Sequence, residues 1–241
     1  MKEAIIENIS LIKKRIREAA QKAQRNDDVQ LLLATKTVAA DNIRIALEAG
    51  EWLVGENKVQ EFKIKLPQLA DLAFQKHFIG HLQTNKIKEV LRYVDCIQSV
   101  DRIDLVEKLD QRLQFEGRSI SVFIQVNTSF EESKFGVHPD DALKFLKYAV
   151  KYDTLEIKGL MTIGLFDTDA EKTRKSFTLL RQIRDNAINE GILMPAARHL
   201  SMGMSSDMET AIEEGATIVR VGTAIFGKRL YPDSYYWNET L

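Results

Sequence analysis

Lys36 stands at the end of a short apolar run, and its position suggests covalent chemistry. The run reads Val29-Gln30-Leu31-Leu32-Leu33-Ala34, and a helical pattern begins after Lys36. A free lysine amine titrates near ~10.4, but desolvation or a neighbouring cation lowers its pKa and permits formation of a Schiff base. A solvated lysine at the start of a loop is the competing interpretation. The residue alone does not decide between them.

Small and hydroxyl-bearing residues cluster in or just after the last two apolar runs. The first run, His199–Met202, leads into Gly203, and the second, Ile218–Phe226, contains Gly222-Thr223. In barrels of alternating strands and helices, the loops after strands seven and eight often bind phosphate. Backbone N–H groups and hydroxyls hold a dianion there without many basic side chains. Ser206 and Glu209 have capping-box spacing, which predicts that a helix N-terminus points toward the first of these loops.

Arg220 interrupts the last apolar run, between Val219 and Val221. Strand alternation places Arg220 and Gly222 on one face and the two valines on the other. If the first face is the interior of a barrel, the buried positive charge requires either a paired carboxylate or a ligand. Both interpretations stay open at this point.

Other residues near predicted strand ends have ordinary structural explanations beside the functional ones. Asn57 could donate to a ligand, but it is better interpreted as a helix N-cap, with Glu61 close to capping-box spacing. Met161 is more often core filler than a ligand contact. His81 is expected to line a strand-end mouth, and no neighbouring cluster predicts a metal site. Cys96 is expected to be a buried structural thiol.

Strand-like segments alternate with helical patterns along the chain. The isoleucines of the first segment recur at helical spacing, which predicts a leading amphipathic helix over residues 1–24. The remainder predicts a single (β/α)8 TIM barrel, an α/β fold, with residues 1–241 as one domain and 228–241 as a C-terminal tail. A doubly wound sheet is the alternative, but it would need a G-x-G-x-x-G turn after the first strand. The predicted strands are Leu31–Lys36, Trp52–Glu56, His77–Gly80, Cys96–Val100, Ser121–Asn127, Ile157–Ile163, His199–Met202 and Ile218–Phe226.

Composition narrows the functional classes. The 241 residues are 44% hydrophobic and 29% charged, and the net charge is -1. That charge does not favour general binding to nucleic acid. No apolar run approaches membrane-spanning length, and the first residues lack the apolar core of a signal peptide. The single cysteine rules out an intramolecular disulfide, so a cytoplasmic location is predicted.

Six motifs, taken together and in order, resemble the pyridoxal phosphate homeostasis family, also called the YggS or PROSC family. The resemblance covers almost the whole chain. It implies a barrel like the N-terminal domain of alanine racemase. The motifs are Ala34-Thr35-Lys36-Thr37, Gly55-Glu56-Asn57-Lys58-Val59-Gln60-Glu61, His77-Phe78-Ile79-Gly80-His81-Leu82-Gln83-Thr84-Asn85-Lys86, Gly159-Leu160-Met161-Thr162, Leu200-Ser201-Met202-Gly203-Met204-Ser205 and Val219-Arg220-Val221-Gly222-Thr223-Ala224-Ile225-Phe226-Gly227.

The same resemblance implies the cofactor and its contacts. Lys36 would hold pyridoxal 5'-phosphate (PLP) as a Schiff base, an internal aldimine. Arg220 would face the pyridine nitrogen, Asn57 would lie near the ring, and Met161 is included as a contact. The phosphate would be surrounded, largely through backbone N–H groups, by Ser201, Met202, Gly222 and Thr223. Family members are regarded as acting in intracellular PLP (vitamin B6) and amino-acid homeostasis without established catalysis.

Two enzymatic alternatives remain. One is a fold-type III PLP-dependent amino-acid racemase, and the other is a barrel enzyme that forms a Schiff base with another phosphorylated metabolite. Arginine offers only hydrogen-bond donors, so at the pyridine nitrogen it would favour a weak electron sink, although racemases can use this arrangement. The resembled racemases add a β-rich domain with a catalytic tyrosine, for which the tail with Tyr231, Tyr235 and Tyr236 is too short. A homeostasis protein that serves PLP-dependent apoenzymes is therefore expected, and a monomer is compatible with it. The role of Lys134 stays undecided.

Overall fold

The structure is a computed structural model that describes residues 2–165 and 169–227. Eight parallel strands close into one barrel, and each strand pairs with its neighbours in chain order. The predicted TIM barrel is confirmed. The strands are β1 (Gln30–Ala34), β2 (Leu53–Glu56), β3 (Gln75–Phe78), β4 (Cys96–Val100), β5 (Ile120–Gln125), β6 (Leu155–Met161), β7 (His199–Ser201) and β8 (Ile218–Val221).

Helices follow the strands and form the outer layer of the barrel. In the described part of the chain they are α1 (Lys2–Lys22), α2 (Ala40–Glu48), α3 (Val59–Lys65), α4 (Ile87–Val90), α5 (Ile103–Glu116), α6 (Ala142–Ala149), α7 (Ala170–Asn189), α8 (Met208–Glu213) and α9 (Thr223–Phe226). Short 3-10 turns precede α4 and α6. None of the helices within residues 2–165 and 169–227 has the length and apolar character needed to cross a bilayer.

Strand alternation divides the apolar side chains between two cores. A small cluster packs inside the barrel, formed by Leu32, Leu53, Cys96, Phe123, Met161 and Ile218. The residues between them in the strands, such as Leu33, Val54 and Val219, join the larger core between the barrel and its helices. An inward side chain therefore faces either the apolar floor of the barrel or the mouth at the carboxyl ends of the strands.

The leading helix α1 is bound to the outer layer by its predicted apolar stripe. Ile5, Ile9, Ile12 and Ile16 are all buried, as their spacing predicts. Asn8 Nδ2 also donates a 3.0 Å hydrogen bond to the backbone oxygen of Ile225, at the end of the barrel sequence. The first and last helices of the described chain are thereby joined.

The structure ends β1, β3, β5 and β6 two residues earlier than predicted, and it corrects three further local predictions. The eighth strand ends at Val221, and Thr223–Phe226 is helical rather than extended. The N-cap of α3 is Lys58 rather than Asn57, and the side chain of Lys58 forms no capping hydrogen bond. The N-cap of α8 is Asp207, so Ser206 and Glu209 do not form a capping box. The predicted tail, 228–241, and its tyrosines lie outside the described residues.

Candidate functional site

Lys36 lies in the turn that leaves β1 at the mouth of the barrel. The strand ends at Ala34, and Lys36 is partly buried two residues later. Alternation makes Leu32 and Ala34 inward residues of β1, and Lys36 follows them in the turn. The next residue, Thr37, has a φ of 67°, a left-handed conformation that costs a non-glycine residue roughly 1 kcal/mol or more. The turn around Lys36 is held in a defined, locally strained shape.

A buried ion pair anchors the backbone just before Lys36. Lys65 Nζ, from the end of α3, lies 2.8 Å from both Glu56 Oε1 and the backbone oxygen of Thr35. Thr35 Oγ1 in turn donates a 2.7 Å hydrogen bond to Glu56 Oε1. Burial raises the pKa of Glu56 to about 7, because the loss of hydration outweighs the opposing effect of Lys65. Among the described residues, Glu56 Oε2 has no hydrogen-bond partner.

Two glycines allow the backbone to approach closely around the mouth. A Cβ atom on Gly222 would lie 2.6 Å from the backbone oxygen of Ala34, where β8 meets β1. A Cβ atom on Gly80 would lie 2.1 Å from the backbone oxygen of Asn57. Asn57 is therefore fixed through its backbone by the loop after β3, and its side chain is partly buried beside the mouth.

Arg220 points into the barrel, as strand alternation predicts. It pairs in register with the inward-facing Leu32 of β1, and only 6% of its surface is exposed. Its Nη1 donates to Ser201 Oγ at 2.9 Å, and its Nη2 donates to the backbone oxygen of Thr162 at 2.7 Å. Within residues 2–165 and 169–227 it forms no ion pair, although the charge of Asp207 acts on it. Burial lowers the pKa of Arg220 to about 10, which leaves it protonated at neutral pH.

Sequence analysis missed two polar residues that belong to this cluster. Ser201 Oγ donates a 2.6 Å hydrogen bond to Gln98 Oε1, and Gln98 Nε2 lies 2.7 Å from His77 Nδ1. Burial lowers the pKa of His77 to about 4, so its imidazole is neutral at neutral pH. The available signal was alternation, because Gln98 stands two residues after the inward Cys96.

The remaining predicted contacts occupy different layers. Met161 is buried in the barrel interior, in register with Ser201. Thr223 is exposed and begins α9 directly after Gly222. Met202 instead packs in the outer core, and its backbone N–H donates to the backbone oxygen of Ile218. Both the side chain and the N–H group of Met202 are engaged in these contacts.

A loop after β5 borders the mouth. The ring of Phe135 stacks on His81, with 3.7 Å between the ring centres. Lys134 Nζ lies 2.7 Å from Glu131 Oε1 and 2.9 Å from the backbone oxygen of Gly164. His81, which follows β3, thus contacts this loop, whereas Lys134 is partly buried and engaged in holding the loop. No group of three or more histidine, cysteine or acidic side chains in the described ranges is arranged to hold a metal ion. Cys96 is buried, and burial raises the pKa of its thiol.

Comparisons with known proteins agree with this arrangement. Residues 7–230 match the family described as alanine racemase, N-terminal domain. The pyridoxal phosphate homeostasis protein of Aquifex aeolicus is 41% identical over 227 residues, which are 93% of this chain and 98% of that protein.

Solved structures show the same fold at similar levels of identity. A protein from Bifidobacterium adolescentis, described only as an unknown protein, superposes with a TM-score of 0.88 at 41% identity, over 93% of this chain and 95% of that one. PipY of Synechococcus elongatus, solved with PLP bound, superposes with a TM-score of 0.80 at 34% identity, over 92% of this chain and all of that one. The barrel with a lysine after its first strand thus belongs to the alanine racemase N-terminal domain family and, within it, to the pyridoxal phosphate homeostasis proteins.

Proposed function

We propose that this protein binds PLP covalently through Lys36 and acts in intracellular PLP and amino-acid homeostasis. The observation that carries the proposal is the presence of Lys36, just after β1, together with an inward-facing, buried Arg220 on the neighbouring strand β8. A reactive amine and a donor-only cation at one barrel mouth suit a ligand with an aldehyde and an aromatic ring nitrogen. The whole described chain would act as one PLP-binding barrel domain.

The donors and the close backbone approaches at the mouth fit this cofactor. The two hydrogen bonds of Arg220 use two of its five N–H donors, and its buried charge lacks an ion pair in the described residues. A pyridine ring nitrogen can accept a hydrogen bond from one of the remaining N–H groups of Arg220. The absence of side chains at Gly222 and Gly80 lets backbone segments converge where an added Cβ would collide. The mouth therefore combines closely approaching backbone segments with the buried positive charge of Arg220.

Each residue has a distinct task in this proposal. Lys36 supplies the amine that holds the aldehyde carbon, and the Lys65–Glu56 pair fixes the backbone before it. Gly222 and Thr223 hold the phosphate through the backbone at the start of α9. Ser201 acts through its hydroxyl on Arg220 rather than on the phosphate. Asn57 and Met161 border the ring. When bound, the cofactor supplies an electron sink, which a donor at its ring nitrogen keeps weak.

A role in homeostasis is favoured over catalysis by two points. The Aquifex aeolicus relative is named as a homeostasis protein rather than as an enzyme. Arg220 cannot act as the carboxylate that keeps a pyridine nitrogen protonated. We further propose a cytoplasmic location and PLP-dependent apoenzymes as the recipients of the cofactor.

Lys36→Ala tests the proposal against a matched lysine. Purified protein incubated with PLP should develop a visible band, and borohydride should abolish the band and fix one cofactor per chain to Lys36, as mass spectrometry of peptides would show. Lys36→Ala should lose both signals. Lys58→Ala, which removes an exposed lysine at the same end of the barrel, should keep them. A wild-type protein that stays colourless in excess PLP would overturn the proposal.

A further inference from the structure

Four polar side chains form one hydrogen-bonded path through the interior of the barrel. Arg220 of β8 donates to Ser201 of β7 at 2.9 Å, Ser201 donates to Gln98 of β4 at 2.6 Å, and Gln98 lies 2.7 Å from His77 of β3. The path begins at the proposed cofactor site and ends on the opposite side of the barrel. None of the positions beyond Ser201 belongs to the site proposed above.

The chemistry of the groups gives this path a single direction. A guanidinium has only donors, so Ser201 Oγ must accept from Arg220. The hydroxyl hydrogen of Ser201 is then free to donate, and Gln98 Oε1 accepts it. This fixes the amide orientation, so Gln98 Nε2 donates to His77 Nδ1. The imidazole is therefore neutral and carries its hydrogen on Nε2.

Burial makes this direction costly to reverse. Gln98 and Ser201 are completely buried, and His77 and Arg220 are each only 6% exposed. A proton on His77 Nδ1 would face the amide hydrogens of Gln98, and a rotated amide would leave the Ser201 hydrogen without its acceptor. A buried polar group that loses its partner is destabilised, so the four groups hold one another in a single arrangement.

We infer that Gln98 is a positioning residue for the cofactor site, which acts through Ser201 to hold Arg220 toward the ring nitrogen and is itself oriented by His77. The inference rests on the proposed binding of PLP and extends it to two residues that do not touch the cofactor. Leucine at position 98 would remove both hydrogen bonds at nearly constant volume. Arg220 would then keep Thr162 as a partner but face an unanchored Ser201 hydroxyl.

The first experiment needs no cofactor. Nitrogen-15 NMR of the imidazole rings in the cofactor-free protein distinguishes the two neutral forms of histidine. His77 should be in the Nε2–H form in the wild type and should become a mixture of forms in Gln98→Leu. A wild-type His77 that carries its hydrogen on Nδ1, or that is protonated at neutral pH, would overturn the inference whether or not any variant folds.

The second experiment uses the PLP-loaded protein in a double-mutant cycle. Gln98→Leu and Ser201→Ala should each shift the visible band and speed release of PLP to an acceptor by about five- to tenfold, the equivalent of roughly one hydrogen bond. The double variant should release PLP no faster than Ser201→Ala alone, because Gln98 acts through Ser201. Gln125→Leu is the matched control. Gln125 is also a buried strand glutamine, but it lies opposite Met161 and donates to Phe135 in the loop at the mouth, outside the path. Gln125→Leu therefore reports the effect of losing a buried glutamine near the cofactor, and combined with Ser201→Ala its effect should be additive, unlike that of Gln98→Leu.

The outcomes separate the inference from the proposed function. Failure of the wild type to take up PLP would refute the function, and the NMR experiment would still test the path. Normal uptake with an unchanged band and release rate in Gln98→Leu would refute the inference and leave the function standing. Additive effects of Gln98→Leu and Ser201→Ala would also refute it, since they would show two independent contributions.

Discussion

Lys65 Nζ donates a 2.8 Å hydrogen bond to the backbone oxygen of Thr35, the residue immediately before Lys36. Lys65 is 30 positions later in the chain and belongs to a different strand–helix unit. The same ammonium pairs with Glu56 at 2.8 Å and with Glu61 at 2.6 Å. A buried ion pair in the outer layer thus controls the backbone of the residue that is proposed to react inside the mouth.

Replacing Lys65 by methionine should destabilise the protein more at pH 8 than at pH 5. The folded pKa of Glu56, about 7, is above its ordinary value of 4.5, so its stabilising contribution is present below pH 4.5 and is lost as pH rises through 7. At pH 8 the variant leaves a buried carboxylate without its cation, which costs about 3–5 kcal/mol. At pH 5 Glu56 is protonated, and the loss should be smaller. Urea unfolding at both pH values measures the difference.

Lys63→Met provides the control for this prediction. Lys63 is on the same helix and pairs with Glu89 at the surface, 2.9 Å away. Exposed pairs contribute little to stability, so this variant should unfold at nearly the same urea concentration as the wild type at both pH values. An equal loss for Lys65→Met at pH 5 and pH 8 would show that Glu56 does not change its charge between them.

His77 should make the protein less stable on acidification. Its folded pKa of about 4 lies below the ordinary value of 6.5, so the unfolded chain binds more protons between these values. Stability is therefore fully present above pH 6.5 and falls as pH decreases toward 4. The whole change amounts to about 3 kcal/mol, at roughly 1.36 kcal/mol for each pH unit. Glu56 acts in the opposite direction over much of this range, so the wild-type slope alone understates both effects.

His77→Gln isolates the contribution of the imidazole. Glutamine retains an oxygen that can accept from Gln98, but it does not titrate. The free energy of unfolding, measured from pH 7 to pH 4.5, should decrease less steeply in the variant than in the wild type. Parallel profiles for the two proteins would mean that His77 is protonated with its ordinary pKa in the folded state.

Much of the fold could be predicted because local patterns and global topology agree. The bounds of β4 are those predicted, and the isoleucines of α1 are buried as expected. The end of β8 was predicted wrongly because Thr223–Phe226 is as apolar as a strand. In a four-residue segment, apolar composition does not distinguish a strand from one turn of helix.

The site could be predicted only where alternation and strand ends specify it. Arg220 faces inward as its neighbours indicate, and Lys36 lies at the mouth. The contacts that hold these residues are not local. Gln98 accepts a hydrogen bond from Ser201, which is 103 positions away in the chain, and Glu56 of β2 accepts one from Thr35, which follows β1. Such pairings depend on the register of the closed barrel.

Gly222→Ala should impair PLP loading as well as stability. The added Cβ would lie 2.6 Å from the backbone oxygen of Ala34, and neither backbone segment can rotate away as a side chain could. Overpacking of this kind costs about 1–3 kcal/mol, and the relief would displace β1 just before Lys36. The PLP bound per chain, measured after borohydride reduction, should fall markedly. Gly50→Ala is the control, because its φ of 95° strains any side chain while nothing lies within 4 Å of the added atom. It should lose stability alone, and equal loading in both variants would contradict the prediction.

The PLP-loaded protein should not exchange the α-hydrogen of amino acids with solvent at enzyme-like rates. Carbanion formation needs an electron sink, and the groups that Arg220 directs into the mouth are donors rather than a carboxylate. Proton NMR in deuterated water, with a broad panel of L- and D-amino acids, measures the exchange directly. Free PLP at the same concentration gives the background rate, and Lys36→Ala corrects for adventitious binding. Exchange or racemisation of one amino acid far above that background, lost in Lys36→Ala, would establish the racemase alternative. It would also show that Arg220 does not limit the chemistry of the bound cofactor.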